Sequence, residues 1–127
     1  EVVAVVALVQ ALAAKLIQLR QRNISWRIYR RNLIEENKWR AVREGIGGEL
    51  IDFGKSEAIP TRLLMNELIE LVSDVAEELG STEEIEYIKT MLHKGTSADR
   101  QVSLYTETNS LEAVVDQLAT ETVEGCM

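Results

Sequence analysis

The stretch Pro60–Gly80, PTRLLMNELIELVSDVAEELG, decides how this chain is read. Leu64, Leu68, Leu71, Val72, Val75 and Leu79 recur at steps of three and four residues, so one helix over about 60–79 would turn them to one side. Glu67, Glu70, Asp74, Glu77 and Glu78 fall on the other side, which predicts a solvated face. Pro60 suits a first helical turn, and Gly80 suits the residue that ends it. The helix is amphipathic rather than apolar all round, so it belongs to a layered, water-soluble assembly of helices.

Working downstream, Ser81 and Glu84 in STEE have the spacing of a capping box and restart the chain as a fourth helix. That helix should bury Ile85, Ile88, Met91 and Leu92 before Gly95 ends it. GTSADRQ (Gly95–Gln101) opens a fifth helix with Thr96 or Ser97 as its N-cap and Ala98, Val102 and Tyr105 toward a core. Asn109 and Glu112 suggest a second capping box, followed by a last helix burying Leu111, Val114, Val115, Leu118 and Val123.

Upstream, a first helix is expected over residues 2–20, QRNIS makes a polar break, and a second helix starts near Trp26. Gly45, Gly47 and Gly48 end it, and residues 45–59 read as a loop with at most one short extended segment around Leu50, Ile51 and Phe53. Seven glycines and one proline in 127 residues leave little room for a loop-rich all-β fold. The expected class is all-α, with five to six helices in one helical region over 1–127 and no internal boundary. A chain of this length buries about two-thirds of its unfolded surface.

The net charge of −7 is unevenly spread. Residues 1–44 carry nine Lys/Arg against four Asp/Glu, whereas residues 45–127 carry five against seventeen. Such a division suits halves that dock on one another or on a complementary neighbour, or else a basic surface for phosphate or nucleic acid. A sequence pI near 4.8 argues against a dedicated DNA binder. The one cysteine, Cys126, cannot form an internal disulfide and fits a reducing, cytoplasmic setting.

Residues 2–14 are apolar apart from Gln10. The uninterrupted run is shorter than the roughly 20 residues of a membrane span, and it lacks the basic start and cleavage site of a signal peptide. A helix apolar on most faces is expected inside a larger protein. The chain therefore reads as a piece of something longer.

Familiar reaction centres are missing from the sequence. There is no HExxH, no cysteine cluster, no GxSxG and no GxxxxGK[ST], and the one histidine, His93, suits the carbonyls of a helix C-terminus. Two constellations remain. On the second helix, Trp26, Tyr29, Leu33, Asn37, Arg40, Ala41 and Glu44 share a stripe whose second half turns polar. Arg40 can pair with Glu36 one turn earlier as an ordinary surface bridge. Alternatively Asn37, Arg40 and Arg43 line a cavity for an anion, since a planar guanidinium engages carboxylate or phosphate through two bonds. The second constellation is GTSADRQ, where Thr96, Ser97 and Arg100 bring backbone N–H groups, hydroxyls and a guanidinium to one helix start. The plain alternative is a helix cap with Arg100 solvated or facing another layer.

Two motifs some fifty residues apart carry a resemblance: ENKWRAVREGIGGELIDF (Glu36–Phe53) and GTSADRQ, preceded by ALVQALAAKL (Ala7–Leu16). Together they resemble the C-terminal region of bacterial carboxylate–amine ligases of the glutamate–cysteine ligase type 2 family, related in fold to glutamine synthetase. The resemblance covers essentially the whole chain. It implies an α+β enzyme about three times as long, with an antiparallel sheet and its magnesium-binding carboxylates upstream. It implies that ATP, with Mg2+, phosphorylates an amino-acid carboxylate and that an amine displaces phosphate to form an amide, as in glutathione biosynthesis. In that setting Arg40 and Arg100 are the expected catalytic residues, and Asn37, Arg43, Thr96 and Ser97 are expected to contact substrate or ATP. No metal ligand is expected in this chain, and the chain alone would be inactive.

The expected partners are the missing N-terminal part and the two substrates, with no nucleic acid and no membrane; a homodimer stays open. The sequence departs from the family pattern at Glu44, often aromatic, at Ser97, often glycine, and at Val102, often arginine. Two competing readings remain. One is a non-catalytic helical interaction module that docks through its apolar first helix. The other is nucleic-acid contact by Arg20–Arg43, with its eight Lys/Arg and two Asp/Glu.

Overall fold

A computed structural model describes residues 1–25 and 28–124, so Trp26, the expected start of the second helix, and Cys126 lie outside the described residues. In order, the chain forms α1 (Val2–Gln21), α2 (Arg31–Glu44), a 3₁₀ turn (Gly45–Gly47), β1 (Glu49–Asp52), β2 (Glu57–Pro60), α3 (Thr61–Leu79), α4 (Thr82–Lys94), α5 (Ser97–Thr108) and α6 (Leu111–Val123). Among the described residues the fold is all-α apart from one small hairpin. It gathers into two compact units, Glu1–His93 and Lys94–Met127.

The core of the first unit is a meeting of small and branched residues. Ala4, Ala7 and Ala11 form a stripe on α1 that lets α3 approach closely, and Ile69, Val72 and Ala76 of α3 fill against it. Ile85, Ile88 and Leu92 of α4 complete the cluster. Lys15 of α1 reaches Asp74 of α3 at 2.6 Å, and Gln18 donates to Glu78 at 3.0 Å. By length and composition α1 could also cross a membrane. Its valines are exposed on the side away from α3: Val2 is 77% and Val9 62% accessible.

Two expectations about this unit change. The inner side of α3 is shifted within the expected stripe: Val72 and Val75 are buried and Leu64 and Leu68 half-buried, but Ile69 and Ala76 are buried in addition, whereas Leu71 and Leu79 are exposed. The reason lies in the partners, because the narrow alanine stripe of α1 and the isoleucines of α4 select which α3 face closes. The Ser81–Glu84 capping box does not form either; Ser81 Oγ and Glu84 Oε2 are buried without a hydrogen-bond partner. Meanwhile Arg62 donates to the Leu92 carbonyl, tying α3 to the last turn of α4, where His93 was expected to serve.

Residues 45–59 hold two extended segments rather than one. β1 and β2 pair antiparallel from Glu49 opposite Pro60 to Asp52 opposite Glu57. Asp52 makes the turn: its Oδ1 accepts from the Gly54 and Lys55 amides at 2.8 and 3.1 Å, and its carbonyl accepts from Ser56 at 2.7 Å. At the base of the hairpin the Gly48 carbonyl accepts from both the amide and the hydroxyl of Thr61, each at 2.9 Å. A Cβ on Gly48 would collide with the Glu44 side chain, so this crossing needs glycine.

In the second unit, Thr96 caps α5 and Ser110 caps α6, the latter by accepting from the Ala113 amide at 3.3 Å. Asn109, expected to cap α6, instead ends α5 in the left-handed region at φ 50°. The predicted Ala98–Val102–Tyr105 core face is exposed, and α5 turns Ser97, Arg100, Gln101 and Leu104 inward. On α6 Val114 is buried, while Leu111, Val115 and Val123 are exposed.

Candidate functional site

The polar half of the α2 stripe answers to the hairpin. Leu33, Glu36, Asn37 and Arg40 are half-buried on one side of the helix. The Asn37 side-chain amide donates to the Ile51 carbonyl at 2.9 Å, and its oxygen accepts from the Ile51 amide at 2.7 Å. Tyr29, just before the helix, stacks at a tilt on Phe53, with ring centroids 4.9 Å apart. These two ties, at Ile51 and Phe53, lay α2 along β1. Asparagine stands where a core leucine was expected because it faces strand backbone rather than side chains.

One turn on, Arg40 donates from Nε to Glu36 Oε1 at 2.8 Å, and its side chain is 29% accessible. The Arg43 guanidinium lies 5.0 Å over the Trp39 ring, a cation–π contact on the more exposed side of the helix. The structure therefore brings Asn37, Arg40 and Arg43 onto one end of α2, with Asn37 engaged by backbone, Arg40 half-buried beside Glu36 and Arg43 exposed over Trp39. Arg40 adopts the pairing with Glu36 that helix spacing allowed.

At the start of α5 the capping box is complete. Asp99 Oδ2 accepts from the Thr96 amide at 2.7 Å and from its hydroxyl at 2.8 Å, and the Asp99 amide returns a bond to Thr96 Oγ1. Ser97 Oγ accepts from Gln101 Nε2 at 3.1 Å. The carboxylate of Asp99 thus occupies the dipole end where an anion was expected to sit. Arg100 faces α6, where Nε and Nη2 reach the two Glu121 oxygens at 3.4 and 3.1 Å. Gln117 donates to the same carboxylate at 2.8 Å. The Arg100 bond, and then that of Gln117, hold the Glu121 carboxyl below its usual range.

Glu121 and Gln117 had not stood out in the sequence. Their spacing on α6 was visible, but nothing local links Glu121 to an arginine 21 residues away. Among the described residues no three His, Cys, Asp or Glu side chains gather into a metal site.

Comparison with known proteins fits this arrangement of motifs. The sequence profile of Glutamate-cysteine ligase family 2 matches residues 1–118. The chain belongs to that family. It is 53% identical over 125 residues to a protein of Sorangium cellulosum curated under the name "Putative glutamate--cysteine ligase 2", covering 98% of this chain and 33% of the relative. Proteins of the same name from Chloroflexus aggregans and Solibacter usitatus are 50% and 49% identical over the same length, each covering 98% of this chain and 32% of the relative. The chain thus spans about a third of the length of these family members. No solved structure matches it significantly. Membership makes this a chain of a glutamate–cysteine ligase-like enzyme family, and the profile covers both α2 and the start of α5.

Proposed function

We propose that the chain is the C-terminal helical part of an ATP-dependent carboxylate–amine ligase, and that Arg40 and Arg43 of α2 contribute positive charge to its active site. The observation that carries this reading is the arginine pair on the one end of α2 anchored to β1 through Asn37, inside the region shared with the family. Bound ATP would supply the phosphoryl group that converts a substrate carboxylate into an acyl phosphate, from which an amine displaces phosphate to leave an amide. What this chain adds is charge held in place. A guanidinium on a braced helix need not reorganise as charge spreads over the transferring oxygens. Trp39 limits the swing of Arg43, and Glu36 limits that of Arg40.

The same reading gives Thr96, Ser97 and Arg100 a part in substrate or ATP contact, with Glu121 orienting the Arg100 fork. It assigns the Mg2+ ligands to polypeptide outside the described residues, sets the enzyme in the cytoplasm and makes the remainder of the enzyme the main partner of this chain. Glutamate and cysteine are the first substrates to try, because relatives carry those names.

The test is ADP and amide formation by the full-length enzyme with Mg-ATP, glutamate and cysteine. Turnover should need both amino acids, and oxygen-18 placed in the glutamate side-chain carboxylate should appear in the released phosphate. Arg40→Ala should lower kcat/KM about tenfold or more, which corresponds to roughly 1.4 kcal/mol. Unlabelled phosphate would sink the acyl-phosphate route, and unchanged turnover in Arg40→Ala would sink the site. A non-catalytic interaction module is the second reading, favoured by the exposed valine side of α1. It takes precedence if no carboxylate and amine pair supports ADP release.

A further inference from the structure

The hydrogen bonds of Asn37 have a specificity that ordinary helix packing does not require. Ile51 stands opposite Ala58 in the hairpin, yet its N–H and C=O both turn away from β2 and meet Asn37. In an antiparallel ladder alternate residues present both backbone groups to one side, as a donor and an acceptor next to each other. A carboxamide presents the complementary pair, so Asn37 stands in for one residue of a third strand.

Few other side chains can do this. Aspartate matches the size but has no donor, and would set a carboxylate oxygen against the Ile51 carbonyl. Leucine would leave both backbone groups without partners at a half-buried position, where each omission is costly. Arg40 follows Asn37 by three residues on the same side of the helix, so the clamp sets where the Arg40 guanidinium lies relative to β1. The Tyr29–Phe53 contact, just before the helix, restrains tilt but lacks the directional bonds that fix rotation about the helix axis.

We infer that Asn37 is a positioning residue: its amide docks α2 on the open edge of β1 at Ile51 and thereby aims Arg40 at the reacting groups. The inference rests on the ligase reading above. Asn37 touches strand backbone, and its effect on turnover passes through Arg40.

Kinetics of the full-length enzyme and amide hydrogen exchange test it together. Asn37→Asp, nearly the same shape, should lower kcat/KM about tenfold and change the same kinetic parameter, kcat or KM, that Arg40→Ala changes. The double variant should be no slower than Arg40→Ala alone, because a misaimed guanidinium and an absent one are equivalent. Losses that multiply in the double variant would overturn the coupling. In the unaltered enzyme the Ile51 amide should exchange as slowly as the amides paired within the hairpin, and fast exchange there would overturn the clamp without any variant. Should Arg40→Ala retain the full rate, the site reading fails, while slow Ile51 exchange would still uphold the docking of α2 on β1.

Discussion

In the first unit α3 buries Ile69, Val72, Val75 and Ala76, and the cluster around it includes the alanines of α1 and the branched residues of α4. In the second unit α5 and α6 bury one apolar side chain, Val114, and turn Ser97, Arg100, Gln101, Gln117 and Glu121 into the space between them. Several of their apolar groups point outward, Leu111 at 71% and Val102 at 66% accessible, while Leu104 and Leu118 are only half-buried. The contrast separates two ways of specifying helices. One unit is ordered by burial, which is non-directional and strong in sum. The other, short for an independent core, relies on caps and paired polar groups that define geometry more than they add stability.

Truncating each core should show the difference most clearly. Ile69→Ala removes a fully packed side chain and should cost about 2–5 kcal/mol in urea unfolding followed by circular dichroism. Leu104→Ala in α5 should cost about 1 kcal/mol or less, since Leu104 is half-buried and water can enter. Equal losses at the two positions would break the distinction.

A smaller effect sharpens it from the other side. Ser110→Ala deletes the cap on α6 and should cost about 1 kcal/mol, with faster amide exchange confined to the first turn of that helix. Exchange accelerating throughout α3 as well would mean that the second unit is not held by its own caps.

The smallest expected effect is a pH dependence. The Lys15 hydrogen bond holds the Asp74 carboxyl below its ordinary value of 3.8. A depressed folded-state value stabilises above that ordinary value, and the contribution is lost as pH falls through the lower one. Wild type should therefore lose its advantage over Asp74→Asn on acidification below about 3.8 and keep it at neutral pH. Glu121, lowered by Arg100 and Gln117, should behave with the same sign in the second unit. An advantage that grew on acidification would reverse both assignments.

Much of the fold could be read locally. Gly80 ends α3 at φ 69°, Thr96 caps α5, and the span expected for the third helix differs from Thr61–Leu79 by one residue. These features depend on residues within a turn of one another. Orientation was harder: α3 buries Val72 and Val75 of its expected stripe but exposes Leu71 and Leu79 in favour of Ile69 and Ala76, and the Ala98–Val102–Tyr105 stripe of α5 is exposed throughout. The hairpin was half seen, since Asp52 builds a turn from its own neighbours but pairing with β2 requires the chain to return.

For the candidate site, the sequence placed Asn37, Arg40 and Arg43 on one helix end and Thr96, Ser97 and Arg100 at another, and its motifs indicated the family. By itself, then, the sequence determined the approximate positions and kind of the helices, the Thr96 cap and the family motifs, because these rest on spacing along the chain. Only the tertiary structure decided that Asn37 faces Ile51, that Arg100 faces Glu121 and which sides of α3 and α5 are buried. Those outcomes depend on partners 14, 21 or more residues away, whose identity no local pattern carries.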